Sequence, residues 1–236
     1  MSVFVGTTGV AMYAVPLKLT QILEIPLRSF AAVAFPRMSK ASLENDMDRV
    51  KQIFYAYSGG LTFLILPILI LGFIFAEQFV HILGGAKYIE TQNIFRIFCV
   101  YGLFISVDKF TGIALDSINK PKTNFIKVVY MAVANIVGDI VVIFYIGKML
   151  LFIAIAGLIV PKNADIFGLE IRSYNFSVLN TLEMVSFVTI LFTLIGIVVG
   201  IKYLNQYLDL SIKKIITEGW KFFVTIIKDV KSVFNV

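Results

Sequence analysis

Residues 53–75 read IFYAYSGGLTFLILPILILGFIF, twenty-three positions without an Asp, Glu, Lys or Arg. Wound as a helix, a stretch of this length rises roughly 34 Å, enough to cross a hydrocarbon core of about 30 Å. Working outward, four more stretches meet the same requirement, at about 8–36, 93–115, 125–147 and 178–201. Composition agrees: hydrophobic residues make up 58% of 236 positions, charged residues 15%, and the mean hydropathy is +0.88. These values belong to a membrane protein rather than a soluble domain. The expected fold is all-α, a multi-spanning transmembrane bundle of about five spans occupying residues 1–205. Met149 to Val160 is also apolar but too short to span; following Gly147-Lys148, it reads as an extension of the fourth helix or a re-entrant piece.

Several chemistries are excluded early. Cys99 and His81 are single copies of their kinds, so one chain can build neither a disulfide framework nor a Cys/His metal site, and no metal or cofactor is expected. The net charge of +6 is spread over short connections and a tail, which suits anionic lipid headgroups as partners and not nucleic acid.

Orientation follows from counting Lys and Arg in alternate connections. Residues 37–51, 117–127 and the tail after 201 hold thirteen; residues 1–9, 76–96 and 148–177 hold five: Lys87, Arg96, Lys148, Lys162 and Arg172. The count places the C-terminus in the cytoplasm and, with five spans, the N-terminus outside. Met1 to Gly9 lacks the basic region of a signal peptide, so the expectation is a chain that starts in mid-protein.

Residues 206–236 form a separate unit. Apolar positions at 212, 215, 216, 222, 223, 226, 227, 230, 233 and 234 make one stripe, with Lys214, Lys221 and Lys228 opposite. This predicts an amphipathic helix on the cytoplasmic membrane surface, anchored near Trp220, or alternatively a helix that docks a partner. In the 76–92 connection, His81 reads as an interfacial surface residue, with proton handling as the alternative.

Polar groups inside the spans are the functional leads, because a charge at mid-membrane costs about 2.5 to 3.5 kcal/mol on insertion scales and so faces a bundle interior, a partner charge or water. Lys18, Gln21, Glu24 and Arg28 fall within an arc of about 120° on the first helix, between Pro16 and Pro26 and beyond. They could line one wall of a cavity; equally, Glu24 and Arg28 stand at i and i+4 and could neutralise each other. The third span carries Asp108, Lys109 and Asp116, and the fourth carries Asn135 and Asp139 on one face. Asp108 and Lys109 point about 100° apart, so each is expected to find partners on other helices. Embedded carboxylates can carry coupling ions, which makes Asp108, Asp116, Asn135 and Asp139 the ion-coupling candidates; the alternative for Asp139 is packing against Asn135. Asp46-Met47-Asp48 has the D-x-D form of metal-dependent glycosyltransferases, but it lies in a charged loop without a catalytic domain, and an enzyme is not expected.

Gly9-Val10-Ala11-Met12-Tyr13-Ala14 and Phe35-Pro36-Arg37-Met38-Ser39-Lys40 resemble the "G-x-Y" and "F-P-x-x-S" elements of polysaccharide (O-antigen type) flippases in the multidrug/oligosaccharidyl-lipid/polysaccharide exporter superfamily. Pro67 within the next span, Ile82-Leu83-Gly84-Gly85-Ala86-Lys87-Tyr88 and Leu115-Asp116-Ser117-Ile118-Asn119-Lys120-Pro121-Lys122 follow in the family's order, the last with Asn119 where glycine is usual. The resemblance implies a multi-pass protein of the bacterial cytoplasmic membrane, and specifically the C-terminal lobe of a two-lobe flippase. It implies translocation of an undecaprenyl-diphosphate-linked oligosaccharide by alternating access, with Lys18, Gln21, Glu24 and Arg28 facing the substrate cavity. The partners implied are this lipid-linked oligosaccharide and a missing N-terminal lobe or companion chain. A drug or metabolite antiporter of the same superfamily, a non-transporting scaffold and a decayed fragment are the competing functions.

Overall fold

The computed structural model describes the backbone of residues 2–159 and 175–234, and side chains for most residues within 9–145 and 179–232. Lys162 and Arg172, used in the charge count, and the side chain of Lys148 lie outside the described residues. In chain order the helices are α1 (Ser2–Leu43), α2 (Met47–Ile74), α3 (Ala76–Gly84), a 3-10 turn (Ala86–Thr91), α4 (Gln92–Ser117), α5 (Pro121–Ile159), α6 (Asn175–Leu208) and α7 (Ile212–Phe234). Among the described residues there is no strand, and five helices are long and apolar enough to cross a membrane. Because α5 continues to Ile159, the short apolar stretch that begins at Met149 extends the fourth span.

Two of the connections are built alike. After α1, Asn45 has φ 58°, Asp46 N–H donates to the Ala41 carbonyl at 2.9 Å, and Asn45 N–H donates to the Ser42 carbonyl at 3.1 Å. After α4, Asn119 has φ 59°, Lys120 N–H donates to the Leu115 carbonyl at 2.9 Å, and Asn119 N–H donates to the Asp116 carbonyl at 3.1 Å. Both are Schellman closures, in which the left-handed residue is usually Gly and sometimes Asn. This explains why Asn119 can stand where glycine is usual. Asp46 then caps α2, its Oδ1 accepting from Arg49 N–H at 2.9 Å, and Asp48 pairs with Lys51 at 3.1 Å. Both carboxylates of the D-x-D sequence thus have structural partners.

The core lies where α1, α2 and α4 meet, filled by Leu23, Leu27, Phe54, Leu61, Ile65, Phe98 and Phe110. Outside it, α6 packs on α4 and α5 packs chiefly on α6. Small residues set the close approaches. A Cβ on Gly196 of α6 would collide with Met131 and reach within 2.9 Å of Asp108 Oδ1, and one on Gly200 would come within 2.7 Å of Thr111 Oγ1. The Gly196-x-x-x-Gly200 face therefore lets α6 lie directly over α4 and α5.

The amphipathic tail is a helix, α7, and it packs on the bundle. α6 runs on through Leu208, and α7 packs against α2, with Ser211 N–H donating to Tyr55 OH at 2.7 Å, Phe222 against Tyr57, and Phe63 set against Trp220 and Phe223. The contact is backbone to backbone: a Cβ on Gly219 would lie 2.5 Å from Gly59 Cα, and one on Gly59 would strike the Ile215 carbonyl oxygen. Part of the apolar stripe is consumed in this packing. Ile212, Ile216 and Trp220 stay exposed beside Lys213 and Lys221.

Candidate functional site: a polar track along α5

Asn124, Lys127, Met131, Asn135 and Asp139 recur every three or four residues on α5, so they share one helical face. That face turns toward α4 and α6. Lys127, only three residues beyond Asn124, sends its ammonium into the bundle, where the side chain is 4% exposed. Its Nζ lies 2.7 Å from Asp108 Oδ1 on α4 and donates to the Asp108 carbonyl at 2.7 Å and to Thr111 Oγ1 at 2.8 Å. Three acceptors around one buried ammonium make a saturated site, as a buried ion pair needs. The partner of Asp108 is thus on another helix, and it is a lysine whose place in the sequence groups it with a connection.

Two cavities follow the track. One of about 520 Å³ is lined by Asp108, Lys109, Asp116, Asn124 and Lys127 among others, and Asn124 Nδ2 donates to Asp116 Oδ2 at 2.9 Å. The other, of about 350 Å³, lies among α1, α4, α5 and α6 and is lined by Tyr13, Thr20, Tyr101, Asp139 and Thr189. Asn135 and Phe192 line both. The four ion-coupling candidates are therefore brought onto one track: Asp108, Asp116 and Asn135 border the first cavity, Asn135 and Asp139 the second.

Their states of satisfaction differ. Asp108 Oδ1 and Asp139 Oδ1 are both buried without a hydrogen bond of good geometry among the described residues, but Asp108 Oδ1 has the Lys127 ammonium at 2.7 Å and Asp116 has Asn124, whereas Asp139 Oδ1 has neither. A buried carboxylate oxygen left alone is costly unless it takes up a proton or a cation.

The α1 candidates go elsewhere. Lys18 Nζ donates to the Leu83 carbonyl at 3.0 Å, at the end of α3, where Val15 also meets Gly84. An ammonium there complements the negative end of the α3 dipole. It places Lys18 level with the α3 connection at one end of the span, away from its middle. Arg28 bonds to Glu24 one turn away, both on the outer surface, and Gln21 is exposed beside them. Neither cavity is lined by any of these four; α1 contributes Tyr13, Leu17 and Thr20 instead. His81 is exposed on α3. Among the described residues no three His, Cys, Asp or Glu side chains are grouped to hold a metal.

Sequence reading misses Lys127, Thr111 and the Gly196/Gly200 face. A signal is available, since Lys127 stands on the same α5 face as Asn135 and Asp139.

Five apolar spans enclosing a polar track define a multi-span helical membrane protein. Residues 2–93, covering α1 to the beginning of α4, match a protein-family model described as "Polysaccharide biosynthesis protein". No curated protein and no solved structure matches the chain. The α5 track lies beyond the matched residues.

Proposed function

We propose that this chain is one lobe of a cation-coupled transporter that moves an undecaprenyl-diphosphate-linked oligosaccharide across the bacterial cytoplasmic membrane by alternating access, with its C-terminus in the cytoplasm. The observation that carries coupled transport is Asp139: a carboxylate oxygen without a partner among the described residues, in a cavity among four helices, one turn from the Asn135 amide. A cation or proton there would draw α5 toward Thr189 of α6 and Thr20 of α1, and its departure would release them. The polysaccharide match over α1 to α3 supports the class of cargo.

The exposed face of α1, with Gln21, Glu24 and Arg28, would then turn toward a companion lobe across a water-filled cavity. Diphosphate recognition needs unpaired cations. Because Arg28 is held by Glu24 and Lys18 by Leu83, most of that charge would come from the companion lobe. The same pairing favours, as a second reading, an antiporter for organic cations.

Deleting the gene should deplete surface glycan and accumulate its lipid-linked precursor on the inner leaflet. Wild-type chain should restore export, and Asp139→Asn should insert normally while changing the proton or sodium dependence of export. Unchanged surface glycan after deletion would remove the function; unchanged ion dependence in Asp139→Asn would remove the coupling.

A further inference from the structure

We infer that the two half-open cavities are successive chambers of one cation route along the inward face of α5, with the Phe192 ring as its constriction and the Asn135 amide as the polar step across it. This rests on the coupled-transport reading and adds how the cation reaches Asp139. Asn135 and Phe192 are common to both linings, and no other described lining residue is shared. The two chambers therefore meet at this pair. Asn135 precedes Asp139 by one helical turn, about 6 Å, so an ion leaving its amide oxygen is already within reach of the carboxylate.

Charges along the route decide its direction. The first chamber begins beside the turn between α4 and α5, with Asp116 exposed at its edge. Asp108 is occupied by Lys127, Asp116 accepts from Asn124, and Lys109 adds a positive charge to the lining, so the first chamber attracts a cation only weakly. Among the described residues the buried oxygen of Asp139 has no hydrogen-bond partner, and it lies in the second chamber, past Phe192. Weak sites before a strong one let an ion pass without being trapped early, and an apolar ring between wet chambers resists crossing by excluding water.

The test measures access, using the whole chain in sealed membrane vesicles. Cys99, the single native cysteine, is replaced by Ala, and one cysteine is introduced at Lys122, Ala132 or Val185. Lys122→Cys identifies vesicles with the α4–α5 turn outward. The probe is the small cationic thiol reagent 2-aminoethyl methanethiosulfonate, added outside. Ala132→Cys in the first chamber should react readily, and Val185→Cys in the second slowly. Adding Phe192→Ala should raise the Val185→Cys rate about tenfold and leave Ala132→Cys unchanged. Phe192→Leu, which keeps apolar bulk, should give a smaller rise and serves if the alanine variant does not insert. A Val185→Cys rate indifferent to both substitutions, or an Ala132→Cys that never reacts from this side, overturns the route. Labelling reports access alone, so an unaltered ion dependence in Asp139→Asn defeats the coupling and not the constriction.

Discussion

The charged face of α1 and the polar track of α5 make opposite use of their polar groups. On α1 the charges are conspicuous and already answered: Arg28 has Glu24, Lys18 has the end of α3, and the pair faces outward. On α5 the charges are fewer and turned inward, where Lys127 is saturated and Asp139 Oδ1 has no hydrogen-bond partner among the described residues. A charge in a span is therefore a weak guide to function until its partners are known. What marks the α5 track is an unmet requirement beside a cavity.

That contrast can be broken most sharply at Lys127. Lys127→Ala leaves Asp108 buried without its ammonium and should lower stability by about 3 kcal/mol, read from denaturant or thermal unfolding in detergent, with Asp108→Asn in the same chain recovering part of the loss. A loss below about 1 kcal/mol would show the two faces to be equivalent. Next comes Gly219→Val, which forces α7 off α2 and should cost about 2 kcal/mol of overpacking, seen as faster proteolysis after Lys221 and Lys228. Removing the α2 cap by Asp46→Ala should cost about 1 kcal/mol in the same unfolding measurement. The smallest effect belongs to α1: Glu24→Gln with Arg28→Gln removes an exposed pair and should shift stability by about 0.5 kcal/mol or less. A larger loss there would mean that folding depends on the α1 face no less than on the α5 track.

The spans were legible because length and apolarity are local properties, and residues 53–75 need no neighbour to declare themselves. The common face of Asn135 and Asp139 was legible for the same reason, through helical spacing alone. Partnerships across the bundle were not. Lys127 stands close after the Pro121 turn and resembles a loop charge; only the seating of Gly196 and Gly200 over α4 and α5 buries it on Asp108. The amphipathic stripe of α7 was visible, but the Gly59–Gly219 contact joins residues too distant in sequence for any periodicity to reveal. Asn119 shows the reverse case, where a departure from glycine becomes intelligible once its φ of 59° is known.

Trp220 is the chain's single tryptophan, half exposed on α7 and set edge-on to Phe63 at 5.3 Å. The docked tail thus carries its own optical probe. Indole emission, being sensitive to the polarity around one ring, would follow the seating of α7 on α2 without any label.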